Sequence, residues 1–197
     1  MRTAFRHAID ALADLGADLR AAEPGVDPDL LEGVLKPIAF TEQAAATSAR
    51  GPAVFARSDQ DYRDVIARGR TYSGVDYMVA THRRMIMRGR FAELFRNIDA
   101  LVTPSVAVTA FSAGTIGVDE IDGRKIDRHL GWSPFSWPIN LAGLPAATVS
   151  CGCDHDGLPI GMQIVAPWLA EDTILSIAAA FEQAHPWTNV WPPFVRG

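Results

Sequence analysis

The sequence predicts an α/β fold, and three observations carry the prediction. Apolar residues recur at helical spacing in several stretches, from Phe5 near the start to Phe181 near the end. Two β-rich runs, 146–151 and 160–165, flank the turn signal Asp156-Gly157 and read as a late hairpin. Ala100 to Thr103 reads as a short buried strand closed by Pro104.

Phe5, Ala8, Ile9, Leu12 and Leu15 define one helix face, and Gly16 supplies the left-handed stop. Ala17 to Ala22 is expected to follow as a short strand. Asp27-Pro28 has the N-cap and N1 residues of a helix start, with Leu30, Leu31, Val34, Leu35 and Ile38 on one face. Pro37 should kink or end that helix, and the Ala-rich run from Thr41 to Ala49 continues it to the break at Gly51-Pro52. Ser58 or Asp59 caps the next helix, which runs through Tyr62, Val65 and Ile66 to Gly69. A longer helix starts at Ser73, with Asp76 completing a capping box. It carries Tyr77, Ala80, Arg84, Met87, Phe91, Leu94 and Phe95 before yielding to Asp99. From Ser105 to Trp132 no period is sustained, which marks a long loop of functional or covering type. Asn140 and Gly143, set among prolines, suit a tight polar-lined turn. Glu171 and Asp172 open the last helix in keeping with its dipole, and His185-Pro186 ends it. The Trp- and Pro-rich tail, 187–194, is expected to pack across a surface.

With 197 residues and 48% hydrophobic content, the chain suits one domain or one part of a larger domain. A net charge of −5 argues against nucleic-acid binding, and the arginines from Arg83 to Arg96 read as a solvated, ion-paired helix face. The amphipathic N-terminus is too interrupted for a secretory signal, and no run approaches the roughly 18 apolar residues of a membrane span. Cys151 and Cys153 stand too close for a disulfide framework, so a reducing cytoplasm is expected.

The most specific pattern is Phe135-Ser136-Trp137-Pro138-Ile139-Asn140-Leu141-Ala142-Gly143-Leu144-Pro145, followed by Gly157-Leu158-Pro159-Ile160-Gly161-Met162-Gln163. Upstream stands Asp99, an apolar strand and Thr103-Pro104; downstream a helix closes near Pro186-Trp187. These elements, in this order, resemble the C-terminal landmark of the amidase signature family, serine hydrolases of amide C–N bonds. Ser136 stands at the commoner threonine and keeps the hydroxyl.

The resemblance implies the C-terminal part of an α/β/α sandwich with a mixed central sheet. It implies a single incomplete domain over 1–197, mainly helical over 1–97, with strand, pocket loop, hairpin and final helix over 98–197. The family's lysine and two serines lie in a Gly/Ser-rich segment upstream of the landmark, and no such segment occurs between Met1 and Gly197. Only Lys36 and Lys125 are lysines; the first precedes a proline and the second sits in a charged cluster, so neither resembles a neutral base. No catalytic residue and no cofactor is therefore expected in this chain.

Thr103, Phe135, Ser136 and Trp137 are the candidates for lining a substrate pocket. Asn140, Gly143, Pro145, Gly157 and Gln163 are expected to shape turns and strands, and Gln163, if buried, to tie its strand to a loop. Cys151, Cys153 and His155 have strand spacing for a metal, but no second pair closes a tetrahedral site, so none is expected. No Gly-x-Ser-x-Gly elbow supports a Ser/His/Asp hydrolase. The expectation is half of an amide hydrolase, inactive alone, that takes a small amide only when completed by an N-terminal half. A homodimer or a complementary polypeptide would cover its open edge. The competing reading is a non-catalytic scaffold or binding module derived from the same fold.

Overall fold

The computed structural model describes residues 1–187, and the remainder of the Trp- and Pro-rich tail lies outside the described residues. Contacts divide the chain into two compact units, one of Met1–Glu23 with Glu93 onward and one of Pro24–Ala92.

In the first unit, α1 (Arg2–Asp14) ends as expected, with Gly16 at φ +94°. Strands β1 (Leu101–Pro104), β4 (Ala146–Cys153) and β5 (Pro159–Val165) form a sheet in the order β1-β5-β4, and every pairing is antiparallel. One face is apolar. Val149, Met162 and Ile164 pack against Ala8, Ala11 and Leu12 of α1 and against Ile174 and Phe181 of α7 (Glu171–Ala184). Each large side chain buried there contributes about 1.5–3 kcal/mol. The expected hairpin is present, and its turn is organised by Asp154, whose carboxylate accepts from the backbone N–H of Asp156 and Leu158 at 2.9 Å each. Gly157 takes φ +78°.

Three local expectations are corrected. Ala17 to Ala22 forms no strand. It lies largely exposed, facing Leu101 and Val102 of the edge strand β1 across a cavity without pairing to it, and it has no β-branched residue to favour extension. The long loop is not featureless, because β2 (Glu120–Ile121) and β3 (Arg124–Lys125) pair across Asp122-Gly123, with φ of 50° and 75°. These are the dihedral signs that a two-residue Asp-Gly hairpin requires. Asn140 lies not in a turn but on the exposed side of a short helix, α6 (Trp137–Ala142). Pro138 is tolerated in its first turn, and Gly143, left-handed at φ +69°, closes it.

In the second unit, Asp27 accepts the Asp29 N–H at 2.9 Å, and the chain enters a π-helical turn (Leu31–Leu35) that leads into α2 (Lys36–Arg50). Pro37 thus does not end the helix and stands where the π-helical turn gives way to α2. The wider turn before it absorbs the missing donor. After α3 (Pro52–Ala56), α4 (Gln60–Gly69) starts with Asp59 accepting the Tyr62 N–H at 2.7 Å. Thr47 and Tyr62 bond at 2.9 Å between α2 and α4. The capping box of α5 (Gly74–Leu94) is reciprocal: Asp76 accepts the Ser73 N–H at 2.8 Å, and Ser73 Oγ accepts the Asp76 N–H at 3.1 Å.

Arg83 on α5 clamps the entry to the π-helical turn, donating from Nη2 to Asp27 at 2.7 Å and from Nη1 to Asp29 at 3.0 Å. The Arg83 guanidinium, and after it the Asp29 N–H, hold the Asp27 carboxyl below the usual carboxylate range. A folded pKa depressed in this way contributes stability that is complete above the unfolded value near ~4 and is lost as pH falls through the folded value. Denaturant midpoints should therefore drop below about pH 4, and Arg83→Ala should flatten that acid limb while lowering stability at neutral pH.

Candidate functional site

The second face of the three-stranded sheet is polar. Strand register sets Thr103, Gln163 and Thr148 side by side across β1, β5 and β4. Gln163 is 6% exposed, and its Nε2 donates to Thr103 Oγ1 and to the Phe135 carbonyl, both at 3.0 Å. A buried amide in an apolar strand must be satisfied, and here it does so by stitching β5 to β1 and to the end of the long loop. Sequence reasoning expected that tie.

A second level lies two residues along. Ser105 N–H donates to the Gly161 carbonyl at 2.9 Å, and its Oγ meets Thr148 Oγ1 at 3.0 Å. A Cβ at Gly161 would stand 2.7 Å from both Ser105 Oγ and Thr148 Cγ2. The glycine is what lets the two hydroxyls meet over β5. Gly161→Ala should break that bond and cost about 1–3 kcal/mol in urea unfolding. Ser105, Thr148 and Gly161 were not singled out from sequence. The available signal was the strand period of two, which puts Gly161 on the same face as Gln163.

The loop end is held by its own bonds. Ser136 Oγ donates to the Ser105 carbonyl at 2.6 Å, Trp137 Nε1 to the Leu130 carbonyl at 3.2 Å, and Ala107 N–H to the Trp132 carbonyl at 2.9 Å. So pinned, Phe135 lines a cavity of about 610 Å³ with Pro104, Ala107, Ile121 and the α1 residues Phe5 and Ile9. Arg2 and Arg6 belong to the same wall, and Arg2 pairs with Asp122. A smaller cavity of about 360 Å³ lies against Phe111 and Trp132, whose rings meet edge to face at 5.5 Å.

Thr103, Phe135 and Ser136 are thus brought into one bonded cluster, and Trp137 anchors its border. Of the motif residues, only Gln163 joins them; Asn140, Gly143 and Gly157 shape α6 and the hairpin, and Pro145 precedes β4. Pro145 carbonyl accepts the Ala166 N–H at 3.3 Å.

The lysines stand as expected from sequence in one respect and differently in another. Lys125 is exposed on β3. Lys36 is 5% exposed and pairs with the Glu32 carboxylate one turn earlier, which also reaches Arg68 at 3.1 Å. The sulfurs do not converge with His155. Cys151 packs against the sheet core, where burial pushes its thiol up, whereas Cys153 and His155 are exposed.

Among the described residues, no helix is long and apolar enough to cross a membrane.

The Amidase family profile matches residues 1–175. A glutamyl-tRNA(Gln) amidotransferase subunit from Nostoc sp. strain PCC 7120 is 40% identical over 116 residues, which cover 59% of this chain and 23% of that protein. A 6-aminohexanoate cyclic dimer hydrolase superposes with TM-score 0.80 at 26% identity, covering 98% of this chain and 43% of that one. A bacterial aryl acylamidase of the amidase signature family shares the fold, with TM-score 0.81 and 23% identity over 94% of this chain and 40% of that one. The matches span less than half the length of each of these relatives. Over nearly its whole length, this chain belongs to the amidase family.

Proposed function

We propose that this chain forms the C-terminal wall of the substrate site of an amide hydrolase, completed by a polypeptide that supplies the serine nucleophile and the lysine base. The supporting observation is the Gln163 bridge, which fixes the Phe135 end of the loop over the polar face of the sheet and sets Phe135 at a cavity. Thr103, Phe135, Ser136 and Trp137 are the pocket residues of this reading. Amide hydrolysis follows from the hydrolases among its relatives, and a second polypeptide is consistent with relatives whose own names describe one component of a larger enzyme. The setting is the reducing cytoplasm, in keeping with two free cysteines among the described residues.

The test mixes the purified chain with an amidase N-terminal polypeptide that carries a lysine and a Gly-Gly-Ser-Ser-Gly-like segment. Simple aliphatic and aryl amides serve as substrates. The chain alone should be inactive and the mixture active. Turnover by the chain alone that survives substitution of both Lys36 and Lys125 would overturn the proposal. A mixture that assembles without any turnover would favour the non-catalytic module.

A further inference from the structure

Helix α5 is apolar on two opposite sides, and only one side is used. Ala80, Met87 and Phe91 are buried. At 100° per residue, Val75, Met78, Val79, Met85 and Ile86 lie together on the other side, and each is between 49% and 73% exposed. His82 and Gly89, also exposed, complete that strip. Five large apolar side chains on one helix face, with no charged group among them before Glu93, exceed the scattered exposure of an ordinary surface.

We propose that this face binds the same face of a second copy of the chain, with the two α5 helices packed antiparallel about His82. The arrangement of residues is what selects the occupant. A two-fold contact requires a surface complementary to itself. Reflection about position 82 pairs Val75 with Gly89, Met78 with Ile86, and Val79 with Met85, so apolar meets apolar at these three levels, and the two His82 imidazoles meet at the axis. Gly89 has nothing within 4 Å of where a Cβ would stand, which leaves room for Val75 of the second copy. Covering the strip on both copies removes on the order of 1,000 Å², the lower end of what a specific contact needs, so the dimer is a weak one. This inference does not depend on the catalytic reading.

Sedimentation equilibrium of the purified chain at concentrations up to about 200 µM tests it, with affinity expected in the micromolar range. The weight-average mass should climb from 21.3 kDa towards twice that value. Met78→Glu alone and Ile86→Lys alone, both on solvated positions, should each weaken association at least about tenfold while leaving the circular dichroism spectrum unchanged. Mixing the two variants should restore a dimer, because the new charges meet across the antiparallel seam. A wild-type chain that stays monomeric, single variants that still dimerise, or a mixture that fails to recover would each overturn the proposal. So would an N-terminal amidase polypeptide that covers α5 while the chain alone remains a monomer.

Discussion

Gln163→Ala is expected to lower the unfolding free energy by about 3 kcal/mol, because it strands the Phe135 carbonyl and leaves a void where a buried amide stood. Chemical denaturation monitored by tryptophan fluorescence measures the loss. The same substitution should free the loop end, so limited proteolysis between Leu130 and Trp137 should accelerate more than cleavage elsewhere. Gln163→Glu separates bonding from packing. It keeps the volume but presents an acceptor to the Phe135 carbonyl, which can only accept, whereas the Thr103 hydroxyl can turn and donate. A glutamate that proved neutral at pH 7 would show that the carbonyl contact carries no weight.

Gly69→Ala should be at least as damaging, although it adds a single methyl group. Gly69 is buried in α4, and a Cβ there would collide with the carbonyl oxygen and carbon of Phe40 and press on Ala44 at 3.1 Å. Backbone atoms of α2 cannot rotate away as a side-chain tip would, so the two helices must separate. The expected cost is about 3 kcal/mol or more, with loss of the Thr47–Tyr62 bond between the same helices. Gly74→Ala, at the start of α5 with open space around it, is the control and should stay within about 0.5 kcal/mol of the parent. Equal effects at the two positions would refute the close-approach argument.

Where sequence and structure agree, the deciding chemistry was local. Asp59, Ser73 with Asp76, Gly16 and the Asp156-Gly157 hairpin each settle their element through residues within a turn of one another. The inner face of α5 was legible for the same reason: Ala80, Met87 and Phe91 share one helical period. Failures came where the outcome depended on distant neighbours. Ala17 to Ala22 looked extended but stands off from the edge strand β1 across a cavity and does not pair with it. The hydroxyl pair of Ser105 and Thr148 is invisible in a linear reading, since it requires β1 and β4 to flank β5. The outward apolar strip of α5 escapes such a reading because a helix is expected to bury one face, and the inner one already satisfies that expectation.

The tie between Gln163 and Thr103 joins residues 60 positions apart. Strands β4 and β5 close through a tight local turn, whereas β1 must be brought in across a long span of chain, and loop entropy makes such encounters slow. The hairpin should therefore form early in folding and β1 should dock late. Until it does, the Gln163 side-chain amide waits in water, and β5, the centre of the finished sheet, stands as an exposed edge in the nascent chain.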